Sequence, residues 1–148
     1  MAQIEVVPPV MKSPVGRVGD PCVMVIFGYA GDLTRRKLVP SLYNLASQQL
    51  LSREFAVIGM GRTPMSNEEA RKVLSEDIKK FATNPVDPDL WEEFVRRVNY
   101  TTGEFDDPAT YSNLKALVDK VDKENNCHGN CFFYLATSPT FFLSLIHI

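Results

Sequence analysis

At 148 residues the chain is about one domain, long enough to bury a single core. With 45% hydrophobic and 23% charged residues its composition is that of an ordinary soluble globular protein and excludes a disordered or fibrous one, and a formal net charge of −2 leaves no electrostatic footprint for nucleic acid or an anionic membrane. No apolar run approaches the roughly 20 residues that span a bilayer, and Met1 to Asp20 lacks the basic-then-apolar pattern of a secretory signal, so a cytoplasmic address is the expectation.

In chain order, residues 1–21 carry Pro8, Pro9, Pro14, Gly16 and Gly19 without a sustained period and read as a flexible leader. Cys22 to Phe27 is a short apolar run bounded by Pro21 and Gly28, the pattern of a strand buried on both faces. Thr34 to Ser47 places Leu38, Leu42, Leu45 and Ala46 on one helical stripe, and Phe55 to Met60 is a second apolar strand. Ser66, with Glu69 three residues on, is a capping box ahead of Ala70, Val73, Leu74, Ile78 and Phe81 at helical spacing. Asp87 followed by Pro88 opens the next helix, whose apolar face is Leu90, Trp91, Phe94, Val95 and Val98. Asp107 and Pro108 repeat the device before Tyr111, Leu114, Leu117, Val118 and Val121. A short strand, Asn99 to Thr102, lies between those two helices, and Cys131 to Ala136 is a last fully apolar run. The order β-α-β-α-α-β-α-β predicts an α/β fold, a doubly wound parallel sheet with helices on both faces. Trp91, Phe132 and Phe133 are expected in its core.

Three cysteines, Cys22, Cys127 and Cys131, are too few for a disulfide framework and fit a reducing compartment. Cys127, His128 and Cys131 have the chemistry to ligate a metal, but a four-ligand structural site needs a second pair that is missing, so no metal is expected and the thiols read as solvated loop or strand residues.

In an open α/β sheet the ligand sits beyond the carboxyl ends of the strands, and the first strand-to-helix turn is here Gly28-Tyr29-Ala30-Gly31-Asp32-Leu33. Glycine at 28 allows a sharp exit from the strand, and glycine at 31 lets backbone amides approach a pyrophosphate at the positive end of the helix. The same glycines also suit a turn that is merely tight. The three-glycine dinucleotide fingerprint is not matched, because Ile26 stands two before Gly28. Asp32 suits an N-cap better than contact with a pyrophosphate.

At the end of the second strand an NAD-selective site carries an acid for the ribose 2′-hydroxyl, whereas Ala56 to Met65 contains none and offers Arg62. Arginine pairs with a 2′-phosphate through two parallel hydrogen bonds, which points to NADP; a solvated surface arginine is the other reading. Arg35, Arg36 and Lys37 crowd the first turns of the helix, where acids would suit the helix dipole, so they look misplaced unless an anion binds nearby.

The run from Val25 to Leu45, VIFGYAGDLTRRKLVPSLYNL, resembles the G-A-S-G-D-L-(A/T)-x-(R/K)-K-L-x-P-x-L-x-x-L signature of glucose-6-phosphate dehydrogenase. Val57 to Thr63, Tyr100 to Asp107 and Phe133 to Pro139 resemble further motifs of that family in the same order, so the likeness covers Cys22 to about Phe142. The resemblance implies a Rossmann-like domain that binds NADP, and in the whole enzyme oxidation of glucose 6-phosphate to the 6-phosphoglucono-lactone, the entry step of the pentose phosphate route, by homo-oligomers. It implies that Gly28, Tyr29, Ala30, Gly31, Asp32 and Leu33 hold the pyrophosphate and Arg62 the 2′-phosphate. Lys37 would face the substrate, and Ala136 and Thr137 would lie under the nicotinamide.

Two departures from the pattern carry expectations. Tyr29-Ala30 replaces the family's Ala-Ser pair, setting a bulky ring where a small residue is usual and deleting a hydroxyl donor; losing one such hydrogen bond to a charged group costs about 1.5–3 kcal/mol. Weakened cofactor binding is expected, with Tyr29→Ala and Ala30→Ser together tightening it. After Phe142 the chain leaves the pattern, so 22–142 reads as an incomplete dinucleotide-binding domain and 143–148 as an anomalous tail. The lysine-proline strand motif, the histidine motif with the general base and the antiparallel-sheet domain are missing, and His147 is not expected to replace the base. No catalytic residue is expected in this stretch, which leaves binding as its function. A non-catalytic NADP-binding or interaction module is the second hypothesis, and another Rossmann-type oxidoreductase the third.

Overall fold

The structure, a computed structural model, describes residues 17–146. Four parallel strands form one sheet in the order β3-β2-β1-β4: β1 is Cys22–Phe27, β2 Phe55–Gly61, β3 Val98–Thr102 and β4 Cys131–Leu135. Helices α1 (Val39–Ser47), α2 (Asn67–Phe81), α3 (Pro88–Val95) and α4 (Pro108–Asn125) make the crossovers, and a short α5, Phe142–Ile146, follows β4. This is the Rossmann-like arrangement that the alternation of strands and helices predicts.

The strand period divides the apolar residues between two cores. Met24 and Ile26 of β1, with Phe55 and Val57 of β2, join Val39, Leu42 and Tyr43 of α1, Leu74 and Ile78 of α2 and Trp91 and Phe94 of α3. Val23, Val25 and Phe27 point the other way, with Ala56, Ile58 and Met60, onto Leu114 and Val121 of α4 and Leu145 of α5. Residues 142–145, expected at the junction of domain and tail, therefore include one turn of helix with a buried leucine; His147 and most of the leader lie outside the described residues.

Local signals set the helix starts. Ser66 accepts from the Glu69 amide at 3.1 Å while Glu69 accepts from the Ser66 amide at 2.7 Å, a complete capping box. Asp87 and Asp107 each accept from first-turn amides ahead of a proline. The entry to α1 differs. The chain is helical from Asp32, but Thr34–Leu38 is a π turn in which the Val39 N–H donates to the Thr34 carbonyl. Pro40 explains it: proline supplies no N–H to the carbonyl four residues back and its ring crowds that carbonyl, so the chain widens.

Three expectations about packing are corrected. Leu45 is exposed, because the stripe of α1 facing the sheet is Val39, Leu42 and Tyr43. Phe132 and Phe133 are 54% and 47% exposed rather than core, because among the described residues β4 pairs with β1 alone. Cys127, expected as a solvated thiol, is fully buried, its Sγ 3.5 Å from the Glu54 carbonyl, whereas Cys131 is exposed.

Candidate functional site

The chain runs outward from β1 through β2 to β3 and then returns across β1 to β4, so the direction of travel reverses between β1 and β4. Crevices outside the carboxyl ends of strands at such a reversal are where open α/β sheets bind ligands. Gly28 ends β1 there. It has φ +101°, and a Cβ on it would lie 2.3 Å from the Ala136 carbonyl oxygen and 3.3 Å from Thr137 Cγ2. Glycine is thus required twice over, by dihedral and by the close approach of the chain leaving β4. Ala136 is fixed in turn by its N–H, which donates to the Phe27 carbonyl at 2.8 Å.

The turn is tied down at several points. The N–H groups of Gly28 and Tyr29 both donate to the Met60 carbonyl of β2, at 2.9 and 3.1 Å. The Gly31 N–H and the buried Thr34 hydroxyl both donate to the Gly28 carbonyl, at 3.1 and 2.8 Å. The first helical bond is Arg35 N–H to Gly31 O at 3.1 Å, so the amides of Asp32, Leu33 and Thr34 stand ahead of the helix's own ladder. Ala30, Asp32 and Leu33 are exposed at the turn.

Tyr29 is not at the mouth of the turn. Its ring is 1% exposed and lies over Gly59 of β2, where a Cβ would meet Tyr29 Cδ2 at 1.9 Å, and its hydroxyl donates to the Ala70 carbonyl of α2 at 2.5 Å. Burial pushes its phenol well above the ordinary range. The bulky ring that stands where a small residue is usual is therefore a core residue, and its contribution to the turn is through the backbone. Sequence reasoning missed this because the space for the ring is a glycine 30 positions away.

Asp32 makes no side-chain cap; its exposed carboxylate lies 3.7 Å from Arg36. Of the three cations that looked misplaced, Arg35 is bonded through Nε and Nη2 to Asp77 at 2.6 and 2.8 Å, and that hydrogen bonding raises its pKa further. Arg36 sits over the Phe81 ring at 5.0 Å. Lys37 is exposed and makes no ion pair among the described residues. Asp77 also went unnoticed in the sequence, although the signal was present: it is an acid on the apolar stripe of Ala70, Leu74 and Ile78.

Arg62 follows β2 directly and is exposed, two residues beyond the Met60 carbonyl that anchors the turn. Its guanidinium carbon lies 5.3 Å from the centroid of the Phe141 ring, a cation–π distance. These residues fit a dinucleotide: close-approach glycine and free amides at the reversal point, no acid after β2, and an arginine in its place.

Comparison with known proteins agrees with this geometry. The family described as glucose-6-phosphate dehydrogenase, NAD binding domain, matches residues 25–147. The chain is 39% identical over 136 residues to the glucose-6-phosphate 1-dehydrogenase of Chlamydia pneumoniae, covering 92% of this chain and 26% of the relative. It is 40% identical over 127 residues to that of Chlamydia muridarum, covering 85% of this chain and 25% of the relative. A solved glucose-6-phosphate dehydrogenase in complex with its substrate glucose-6-phosphate superposes with a TM-score of 0.76 at 29% identity, over 90% of this chain and 28% of that one. The chain thus spans about a quarter of the length of the curated relatives it matches. On the family match and on the fold, this chain belongs to the glucose-6-phosphate dehydrogenase family, as its N-terminal NAD(P)-binding domain.

Proposed function

We propose that this chain is the NADP-binding portion of a glucose-6-phosphate 1-dehydrogenase, the enzyme that oxidises glucose 6-phosphate to the 6-phosphoglucono-lactone, and that the chain by itself binds NADP without turning over the sugar. The observation that carries the reading is Gly28 in its left-handed conformation against Ala136, which brings the first turn and the end of β4 together at the reversal point of the sheet.

In this reading the backbone of Gly28, Tyr29, Ala30, Gly31, Asp32 and Leu33 holds the pyrophosphate at the amino end of the helix. Arg62 takes the 2′-phosphate, and the lack of an acid between Ala56 and Met65 removes the group that would repel it. Ala136 and Thr137 support the nicotinamide end, and Lys37, with no ion pair of its own among the described residues, faces the sugar phosphate. When bound, NADP supplies a nicotinamide ring that accepts hydride. The proton of the sugar hydroxyl needs a base. His128 lies on the turn before β4, at the opposite end of the strand from Ala136, so it cannot serve. The exposed Ala30, without the hydroxyl usual at its position, offers the cofactor one donor fewer.

Titration of the full chain with NADP and with NAD tests the cofactor assignment: NADP should bind more tightly, and Arg62→Ala should remove the difference. Equal affinities in the unsubstituted chain sink it. Incubation with NADP and glucose 6-phosphate tests the second half of the claim, and NADPH formation would overturn binding without turnover.

A further inference from the structure

The segment that follows Arg62 is held at both ends by one residue of the neighbouring strand. Tyr100 of β3 donates its hydroxyl to the Thr63 carbonyl at 2.6 Å, and its backbone N–H donates to Asn67 Oδ1 at 2.8 Å. Between those two bonds lie Pro64, Met65 and Ser66, the last of which caps α2. The ring is 8% exposed and meets Tyr29 edge-on, with centroids 5.1 Å apart. Gly61 lets the hydroxyl reach the loop, since a Cβ there would lie 2.7 Å from Tyr100 Oη.

We propose that Tyr100 is a specificity-determining positioning residue: by holding the Thr63 carbonyl it fixes the backbone on which Arg62 stands, and thereby the preference for a nucleotide bearing a 2′-phosphate. The inference rests on the NADP reading above. Its physical basis is that Arg62 is exposed and steadied by one ring contact, so the direction of its guanidinium depends on the backbone around it, which Tyr100 holds at the Thr63 carbonyl, one peptide unit beyond those that flank Arg62. A bidentate arginine–phosphate pair is sensitive to that direction, whereas the pyrophosphate turn is held from β1, β2 and β4 and does not use the Thr63 carbonyl. Through its side chain Tyr100 holds the Arg62 segment by one hydroxyl and meets the turn at the Tyr29 ring, so loss of the hydroxyl should act on one end of the ligand.

The test is titration of NADP and NAD against the full chain, Tyr100→Phe, Arg62→Ala and the double variant, with a melting curve for each. Tyr100→Phe should raise the NADP dissociation constant about three- to tenfold, leave that of NAD unchanged, and add nothing once Arg62 is alanine. Equal weakening of both nucleotides, or an undiminished effect of Tyr100→Phe in the Arg62→Ala background, would show that the hydroxyl serves the fold and would overturn the proposal. Unaltered NADP binding by Tyr100→Phe, in a chain where Arg62→Ala abolishes the preference, overturns it while leaving the NADP reading intact. No preference in the unsubstituted chain overturns both. Should Tyr100→Phe fail to fold, Gly61→Ala displaces the same hydroxyl and must give the same NADP-selective loss.

Discussion

β2 and β4 both pair in parallel with β1, and both are apolar runs, yet β2 is buried along its whole length while β4 exposes Cys131, Phe132 and Phe133. The sequences do not account for the difference. β2 has a strand on each side, α1 to α3 over one face and α4 over the other; among the described residues β4 has one neighbour. Burial is a property of position in the sheet, and an apolar run reports only that a strand tolerates burial. The contrast also orders the site, since the turn is anchored on the covered strand through Met60 and meets the chain leaving β4 at Ala136 and Thr137.

The comparison breaks most clearly on the β2 side. Trp91 of α3 packs in the core that also takes Phe55 and Val57 of β2, 5.7 Å from the Tyr43 ring and 5.5 Å from Phe94, with its indole N–H donating to Ser75 at 3.0 Å. Trp91→Ala should cost about 3–5 kcal/mol in denaturant unfolding. A loss below about 1 kcal/mol would mean that this face is no better covered than β4. Gly59→Ala, within β2 itself, forces a Cβ onto the Tyr29 ring, and overpacking of this kind costs about 1–3 kcal/mol. Because Tyr29 belongs to the turn, the same variant should weaken NADP binding, whereas an unshifted melting temperature would show that the ring moves aside freely.

How much of this was legible in the sequence follows the separation of the residues involved. Ser66 with Glu69, and Asp87 and Asp107 with their prolines, act within one helical turn, and each predicted helix start is found in place. The strands and their parallel arrangement follow from local period and alternation. The seat of Tyr29 on Gly59 and the pairing of Arg35 with Asp77 join residues far apart in the chain, and no local pattern announces them. For the same reason the residues of the glycine turn were legible as a site, while the direction taken by Tyr29 was not.

Stability should also depend on pH in alkali. Cys127, just ahead of β4, is buried against the second core, and burial first, then the nearby charge of Asp122, pushes its thiol from 9.0 up to about 11. A pKa raised on folding contributes nothing adverse below the unfolded value, where both states hold the proton. Between pH 9.0 and about 11 the unfolded chain releases the proton while the folded one keeps it, so stability falls as pH rises. Comparing the unsubstituted chain with Cys127→Ala in urea at a series of pH values isolates this group: the difference in stability between them should narrow across that window, and parallel curves would refute it.

The smallest effect is expected on β4 itself. Phe132 is more than half exposed on an edge strand, so Phe132→Ser removes little buried area and should leave stability within about 0.5 kcal/mol. The same ring, beside an edge that has no partner strand among the described residues and beside the exposed Phe133, offers other molecules an apolar surface and open backbone groups. Light scattering should therefore fall with Phe132→Ser at constant stability. A serine that destabilised the chain as much as Trp91→Ala would place Phe132 in a core that the exposed strand does not have, and the contrast between β2 and β4 would fail at its most direct point.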